Sequence, residues 1–251
     1  MTARYRYFSA TARYQRGFRK TIAGLVYYLV MNKSPKKTGK KVGRAKTAGA
    51  DPLARFVYEM GIHKQTPRSG FWFLGSGQQS VAEHLFRTAM IAYALAYVTP
   101  GVDRSKVLLM ALTHDLGEGR TGDPNYVHQR YGRLAERMAL EDLAADVPFG
   151  QELLDLYNEE QARITPESIL VKDADQLEWI ASLREEEVKG NGKAKAWVTI
   201  AAKRIKTPAG KLVCKRLLSM HPDAWWFDEK DKWFVAREEK HRKKKIPKEK
   251  A

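Results

Sequence analysis

Residues 80–98, SVAEHLFRTAMIAYALAYV, and residues 104–123, RSKVLLMALTHDLGEGRTGD, decide how this chain folds. In the first stretch His84 shares a face with Thr88, Ile91 and Leu95, a helical recurrence rather than the strict alternation of a strand. Ser80 and Glu83 stand three residues apart at its start, the pattern of a capping box in which hydroxyl and carboxylate satisfy free backbone amides reciprocally. A helix is therefore expected over about 81–98. In the second stretch His114 lines up with Val107, Met110 and Ala111, and glycines at 117 and 119 follow, so a helix over about 104–117 is expected to turn His114 toward the core. Working outward, the same periodicity predicts helices over about 52–61, 126–145, 150–162 and 166–187, the last with Pro166 in its first turn. A final helix over about 194–220 is expected to bend at Pro208-Ala-Gly210. Six or seven helices without a convincing strand make an all-α bundle with one interior site.

Of 251 residues, 43% are hydrophobic, enough for a packed core. The net charge of +16 invites a nucleic-acid reading, but residues 1–50 hold 13 Lys/Arg and no acid, and residues 237–251 hold eight Lys/Arg against three Glu. The stretch between them is left at −2. Basicity thus belongs to the ends, which are expected to be disordered and suited at most to weak contact with nucleic acid or an anionic surface. Ile22–Met31 is a short apolar run behind basic residues. Lysines follow it instead of a cleavage region, and it is shorter than the roughly 20 residues a bilayer needs. It reads as a small docking helix, or as sequence upstream of a start at Met31. The single Cys214 excludes an internal disulfide and a multi-cysteine metal site, which suits a cytoplasmic protein. The organisation expected is a basic extension over 1–50, a catalytic domain over 51–220, and an aromatic then basic tail over 221–251. Trp225, Trp226, Phe227, Trp233 and Phe234 in that tail read mainly as a clasp closing the bundle or as an oligomer contact, which leaves a homodimer open. A stacking platform for nucleic acid, with the protein acting through its basic tails, is the competing function.

Three expected helices each bring an inward imidazole or carboxylate, in the order His84, His114-Asp115 and Asp175. One buried histidine is commonly just a hydrogen-bonded core residue, and a His-Asp pair means little alone. Asp175, however, sits between Val171 and Trp179 on an apolar stripe, where a bare carboxylate costs several kcal/mol and needs a cation or partner. Two imidazoles with two carboxylates suit one divalent metal ion: Mn, Co or Mg first, with Zn, Fe or Ni within the same donor range. Four protein ligands leave coordination positions for a substrate. Glu118 lies one turn beyond His114.

Taken together, Ser80-Val-Ala-Glu-His84, Leu112-Thr-His114-Asp115-Leu-Gly-Glu118-Gly-Arg-Thr-Gly-Asp123 and Val171-Lys-Asp-Ala-Asp175 resemble the HD-domain 5′-deoxynucleotidases, within the wider HD phosphohydrolase superfamily. The resemblance covers about residues 53–190. It implies a helical fold, one divalent metal and removal of phosphate from nucleoside 5′-monophosphates. His84, His114, Asp115 and Asp175 fall on the family's metal ligands, with Asp173 as the rival of Asp175. Glu118 and Asp123 fall on acidic residues that work on water and near the leaving oxygen. Arg68-Ser-Gly-Phe71-Trp72 matches an Arg-then-aromatic element for substrate binding, in which Arg68 meets phosphate and either Phe71 or Trp72 packs near the nucleotide. Hydrolysis of nucleoside triphosphates or other nucleotides on the same metal site is the rival activity.

Overall fold

The computed structural model describes residues 49–235. The apolar run at 22–31, nearly all of the expected linker and the basic run at 237–251 lie outside them. Helices α1 (Ala50–Met60), α2 (Gly70–Leu74), α3 (Val81–Tyr97), α4 (Arg104–Thr113), α5 (Glu118–Thr121) and α6 (Tyr126–Tyr131) make the first half. Helices α7 (Glu136–Asp146), α8 (Gly150–Ala162), α9 (Pro166–Val188), α10 (Gly192–Ala202), α11 (Pro208–Ser219) and α12 (Lys232–Val235) follow, and two 3₁₀ turns lie at Gly61–Lys64 and Pro222–Trp225. Strands are absent among the described residues, apart from one isolated bridge between Pro67 and Ser80. The expected all-α architecture is what forms.

The centre is α9. Thr165 caps it by accepting from the Ser168 amide, Pro166 starts it, and Leu170, Val171, Ala174, Leu177, Ile180 and Leu183 are essentially without exposure. Such a helix, buried around most of its circumference with carboxylates among the apolar side chains, forms stably only when enclosed by partners for both. α3 packs on it through Ala89, Ala92, Leu95 and Ala96, α4 through Val107, Met110 and Ala111, and α10 through Ala194, Val198 and Ala201. The alanines of α3 keep the two backbones close. A second cluster joins Leu116 to Leu140, Leu143, Val147 and Leu153 on α7 and α8. The corner between those two helices requires Gly150, because a β-carbon there would lie 1.8 Å from the Ala144 carbonyl oxygen.

Three expected helices divide. The segment 104–117 stops at Thr113 and continues as a turn into α5. The segment 126–145 breaks at Gly132, between α6 and α7. The segment 194–220 is not bent but split: α10 ends at Ala202, and Thr207 with Pro208 opens α11 afresh. Proline at a first turn starts a helix more easily than it kinks one, since its missing N–H is no loss there. The aromatics after α11 do not close the bundle: Trp225 is 84% exposed, and Trp226, Phe227 and Phe234 stack mainly on one another at 5.0–6.2 Å. No helix among the described residues is long and apolar enough to cross a membrane.

Candidate active site

His84 is fully enclosed on α3, and its orientation is set from behind. Nδ1 lies 2.8 Å from Glu178 Oε2 on α9, so Nδ1 carries the proton and donates it. The other oxygen of Glu178 accepts from Gln79 Nε2 at 2.6 Å, Arg87 Nε at 2.8 Å and Ser182 Oγ at 3.2 Å, and Arg87 also reaches Ser182. Burial raises the Glu178 carboxyl, but the hydrogen bond and charge of His84 together with Arg87 outweigh it and bring it down to about 2. His114 stands just past the end of α4, where its Nδ1 donates to the Ala111 carbonyl at 2.8 Å. Both rings therefore present a lone pair at Nε2, and neither Nε2 has a hydrogen-bond partner.

These two nitrogens face carboxylates. Nε2 of His84 is 3.4 Å from Asp175 Oδ1 and 3.5 Å from Asp115 Oδ2; Nε2 of His114 is 3.2 Å from the same Asp115 oxygen. One donor atom from each of His84, His114 and Asp175 lies within 4.8 Å of the others. Lone pairs and carboxylate oxygens pointed at one another repel unless a proton or cation stands among them. Burial and Arg68 push the His84 pKa down, but the hydrogen bond to Glu178 and the facing Asp115 carboxylate prevail and lift it to about 8, so a proton competes for the same Nε2. The donor set, two imidazole nitrogens and two carboxylates with two nitrogens otherwise orphaned, fits a divalent metal.

Around this cluster the remaining residues sort themselves. Lys172 and Gln176 hold Asp175 Oδ2 at 2.6 and 3.2 Å, which leaves Oδ1 turned to His84. Asp173 is engaged elsewhere: its oxygens accept from the amides of Lys206 and Thr207 and from Thr207 Oγ1 at 2.6–2.9 Å. Glu118 opens α5, buried and with Oε2 unpartnered. Burial first, then Asp115 and Asp123, push its carboxyl up to about 11. Arg68 Nη1 lies 3.5 Å from Asp115 and 3.3 Å from Asp123, whose other oxygen accepts from the Ser69 amide. Desolvation opposes the charge on Arg68, but Asp123 and Asp115 more than offset it, so the guanidinium stays charged. Arg68, Asp115, Glu118, Asp123 and Asp175 all border one cavity of about 920 Å³.

Phe71 and Trp72 do not border it. α2 turns Phe71 into the core, edge-on to Trp179 at 5.2 Å, because Phe71 and Leu74, three residues apart, share its inner side. Trp72 points outward, 62% exposed, and meets His128 at 6.2 Å. The aromatic expected against the nucleotide is thus a core residue in one case and a surface residue in the other. Glu178, in contrast, drew no attention in the sequence, although it lies one turn beyond Asp175 on the enclosed helix. A carboxylate wedged between Leu177 and Trp179 was the available signal.

A family model described as "HD domain" matches residues 60–215. The chain belongs to the HD-domain family. Among curated relatives it is similar to 5′-deoxynucleotidase hdd1 of Schizosaccharomyces pombe, 28% identical over 173 residues, covering 64% of this chain and 86% of that one. It is also similar to 5′-deoxynucleotidase YfbR of Escherichia coli, 31% identical over 147 residues, covering 50% of this chain and 72% of that one. Among solved structures, a conserved hypothetical protein from Pyrococcus furiosus superposes with a TM-score of 0.59 at 28% identity, over 66% of this chain and 99% of that one. A predicted metal-dependent phosphohydrolase from Magnetospirillum magnetotacticum shares the fold at 24% identity, with a TM-score of 0.55, over 68% and 92% of the two chains.

Proposed function

We propose that this protein hydrolyses the phosphate ester of (deoxy)nucleoside 5′-monophosphates, with His84, His114, Asp115 and Asp175 as ligands of one divalent cation. The carrying observation is the pair of buried, unpartnered Nε2 atoms facing two carboxylates beside a solvent-reached cavity that Arg68 borders. Similarity to two proteins named 5′-deoxynucleotidase supports the substrate class. When bound, a divalent ion supplies Lewis acidity and makes water a stronger acid. Two carboxylates among the four donors favour Mn, Co or Mg over softer partners.

The chain's own residues do the rest. Arg68 neutralises two phosphate oxygens with a planar fork of donors, held to its task by Asp123 and Asp115. Ser69 locks Asp123 from both sides: its amide donates to the carboxylate and its hydroxyl to the Asp123 carbonyl at 2.6 Å. Glu118 exchanges a proton with the attacking water or with the ester oxygen as the bond between phosphorus and O5′ breaks. A buried carboxyl whose neighbours favour the neutral form is suited to that step.

The test is phosphate release from a nucleotide panel by the purified protein loaded in turn with Mn, Co and Mg. Asp115→Ala should abolish release and lower bound metal by elemental analysis while the far-UV circular dichroism stays helical. Undiminished turnover in that variant would sink the assignment.

A further inference from the structure

The cavity is more cationic than one phosphate requires. Eight Lys or Arg and six Asp or Glu border it, and because Glu118 is held neutral the excess is at least two positive charges. A divalent ion makes that at least four, and one phosphate, at about −1.5 to −2, cancels at most half. The surplus is not spread evenly. Lys203, Arg204 and Lys206 sit together on the segment between α10 and α11, and none has a carboxylate within 4.0 Å among the described residues.

This segment is built rather than draped. Asp173 grips its backbone through the Lys206 and Thr207 amides, and Thr207 in turn caps α11 by accepting from the Gly210 amide at 3.0 Å. Gly210 has to lack a side chain, since a β-carbon there would stand 2.5 Å from Asp173 Oδ2. Arg204 is positioned as well: it lies over the Tyr126 ring at 5.1 Å and donates to Tyr126 Oη at 2.7 Å and Gln176 Oε1 at 3.3 Å. Gln176 is the residue that holds Asp175. One neutral side chain thus separates a fixed, uncompensated guanidinium from the proposed metal centre, and a guanidinium with open donors is matched by phosphate oxygens.

We infer that the preferred substrate carries a second phosphate besides the one removed, received by Lys203, Arg204 and Lys206. This rests on the phosphohydrolase reading and shifts its preferred substrate from a monophosphate to a nucleotide with two phosphates. The shared chemistry admits two sources, a nucleoside 3′,5′-bisphosphate and a nucleoside 5′-diphosphate, and both belong in the test. The metal-loaded full chain is given deoxyadenosine 5′-monophosphate, 5′-diphosphate and 3′,5′-bisphosphate at low ionic strength, with nucleotide consumption followed by chromatography. For at least one two-phosphate substrate, kcat/KM should exceed that of the monophosphate by about tenfold, mostly through KM, the scale of one charge-assisted contact. In the variant Lys203→Ala/Arg204→Ala/Lys206→Ala the ratio should fall to about one, and whichever arm shows the gain identifies the source. A monophosphate consumed as well as both others, or a ratio that survives the triple substitution, overturns the inference. If nothing is hydrolysed, the phosphohydrolase reading fails separately. Calorimetric titration of the metal-free protein with the same three nucleotides then decides: tighter binding of a two-phosphate nucleotide by the wild type alone supports the second site, and equal binding removes it.

Discussion

Each imidazole of the candidate site gives its Nδ1 proton to a fixed acceptor, Glu178 for His84 and a helix carbonyl for His114, and so offers one lone pair in one direction. Glu178→Gln keeps the shape but removes the charge behind His84. Metal affinity, read by titration of Co absorption, should weaken by about 10–100-fold, as for carboxylates behind ligating histidines elsewhere. The same residue predicts an acid effect. Its carboxyl is lowered in the fold from 4.5 to about 2, so the stabilisation it brings is complete above pH 4.5 and is lost as pH falls toward 2. The melting temperature of metal-free wild type should therefore drop more steeply through this window than that of Glu178→Gln; parallel slopes would contradict the assignment. Glu118→Gln should leave metal bound while turnover falls by about 10²–10⁴-fold, the usual worth of a positioned proton-transfer group. Retained turnover would exclude Glu118 from proton transfer.

At the level of helices, α9 bears both the core and the site. Its apolar side chains are shared among α3, α4, α10 and α11, while Asp173, Asp175 and Glu178 face three different tasks: gripping the α10–α11 segment, the proposed metal site and His84. Leu177, fully buried between Asp175 and Glu178, connects the two roles. Leu177→Ala should cost about 2–5 kcal/mol in urea unfolding. It should also loosen metal binding, because the carboxylates on either side depend on the register of the packed helix. A variant with the full stability loss and unaltered metal affinity would show that core and site are separable.

For the molecule as a whole, the candidate site is a place where lone pairs and carboxylates face one another, a repulsion that the proposed cation would relieve. A ligand that binds only the folded state stabilises it by mass action, about 2.7 kcal/mol at a hundredfold excess over its dissociation constant. Thermal melts should shift upward on adding Mn or Co to chelator-treated protein, and Asp115→Ala should show little of that shift. An unmoved wild-type melt would argue that the four groups do not converge on an ion in solution.

Much of this was readable beforehand. Period and caps located the helices, since which residues turn inward depends only on spacing along the chain: Ser80 and Glu83 do form the capping box, and Pro166 does open α9. His84, His114 and Asp175 could be picked out because polar side chains on apolar faces are conspicuous in any helical sequence. Breaks at Gly132 and before Thr207 were harder, because periodicity on either side of a short gap can stay in phase. Partner choice across helices was not readable at all. That Glu178 meets His84, that Asp173 grips the α10–α11 backbone while its neighbour two residues on faces the imidazoles, and that Phe71 fills the core while Trp72 faces outward, all depend on how helices far apart in sequence are set against one another. Spacing determined which groups point inward; packing alone decided what each of them meets, because the partners lie 94 residues apart for His84 and Glu178 and 34 for Asp173 and Thr207.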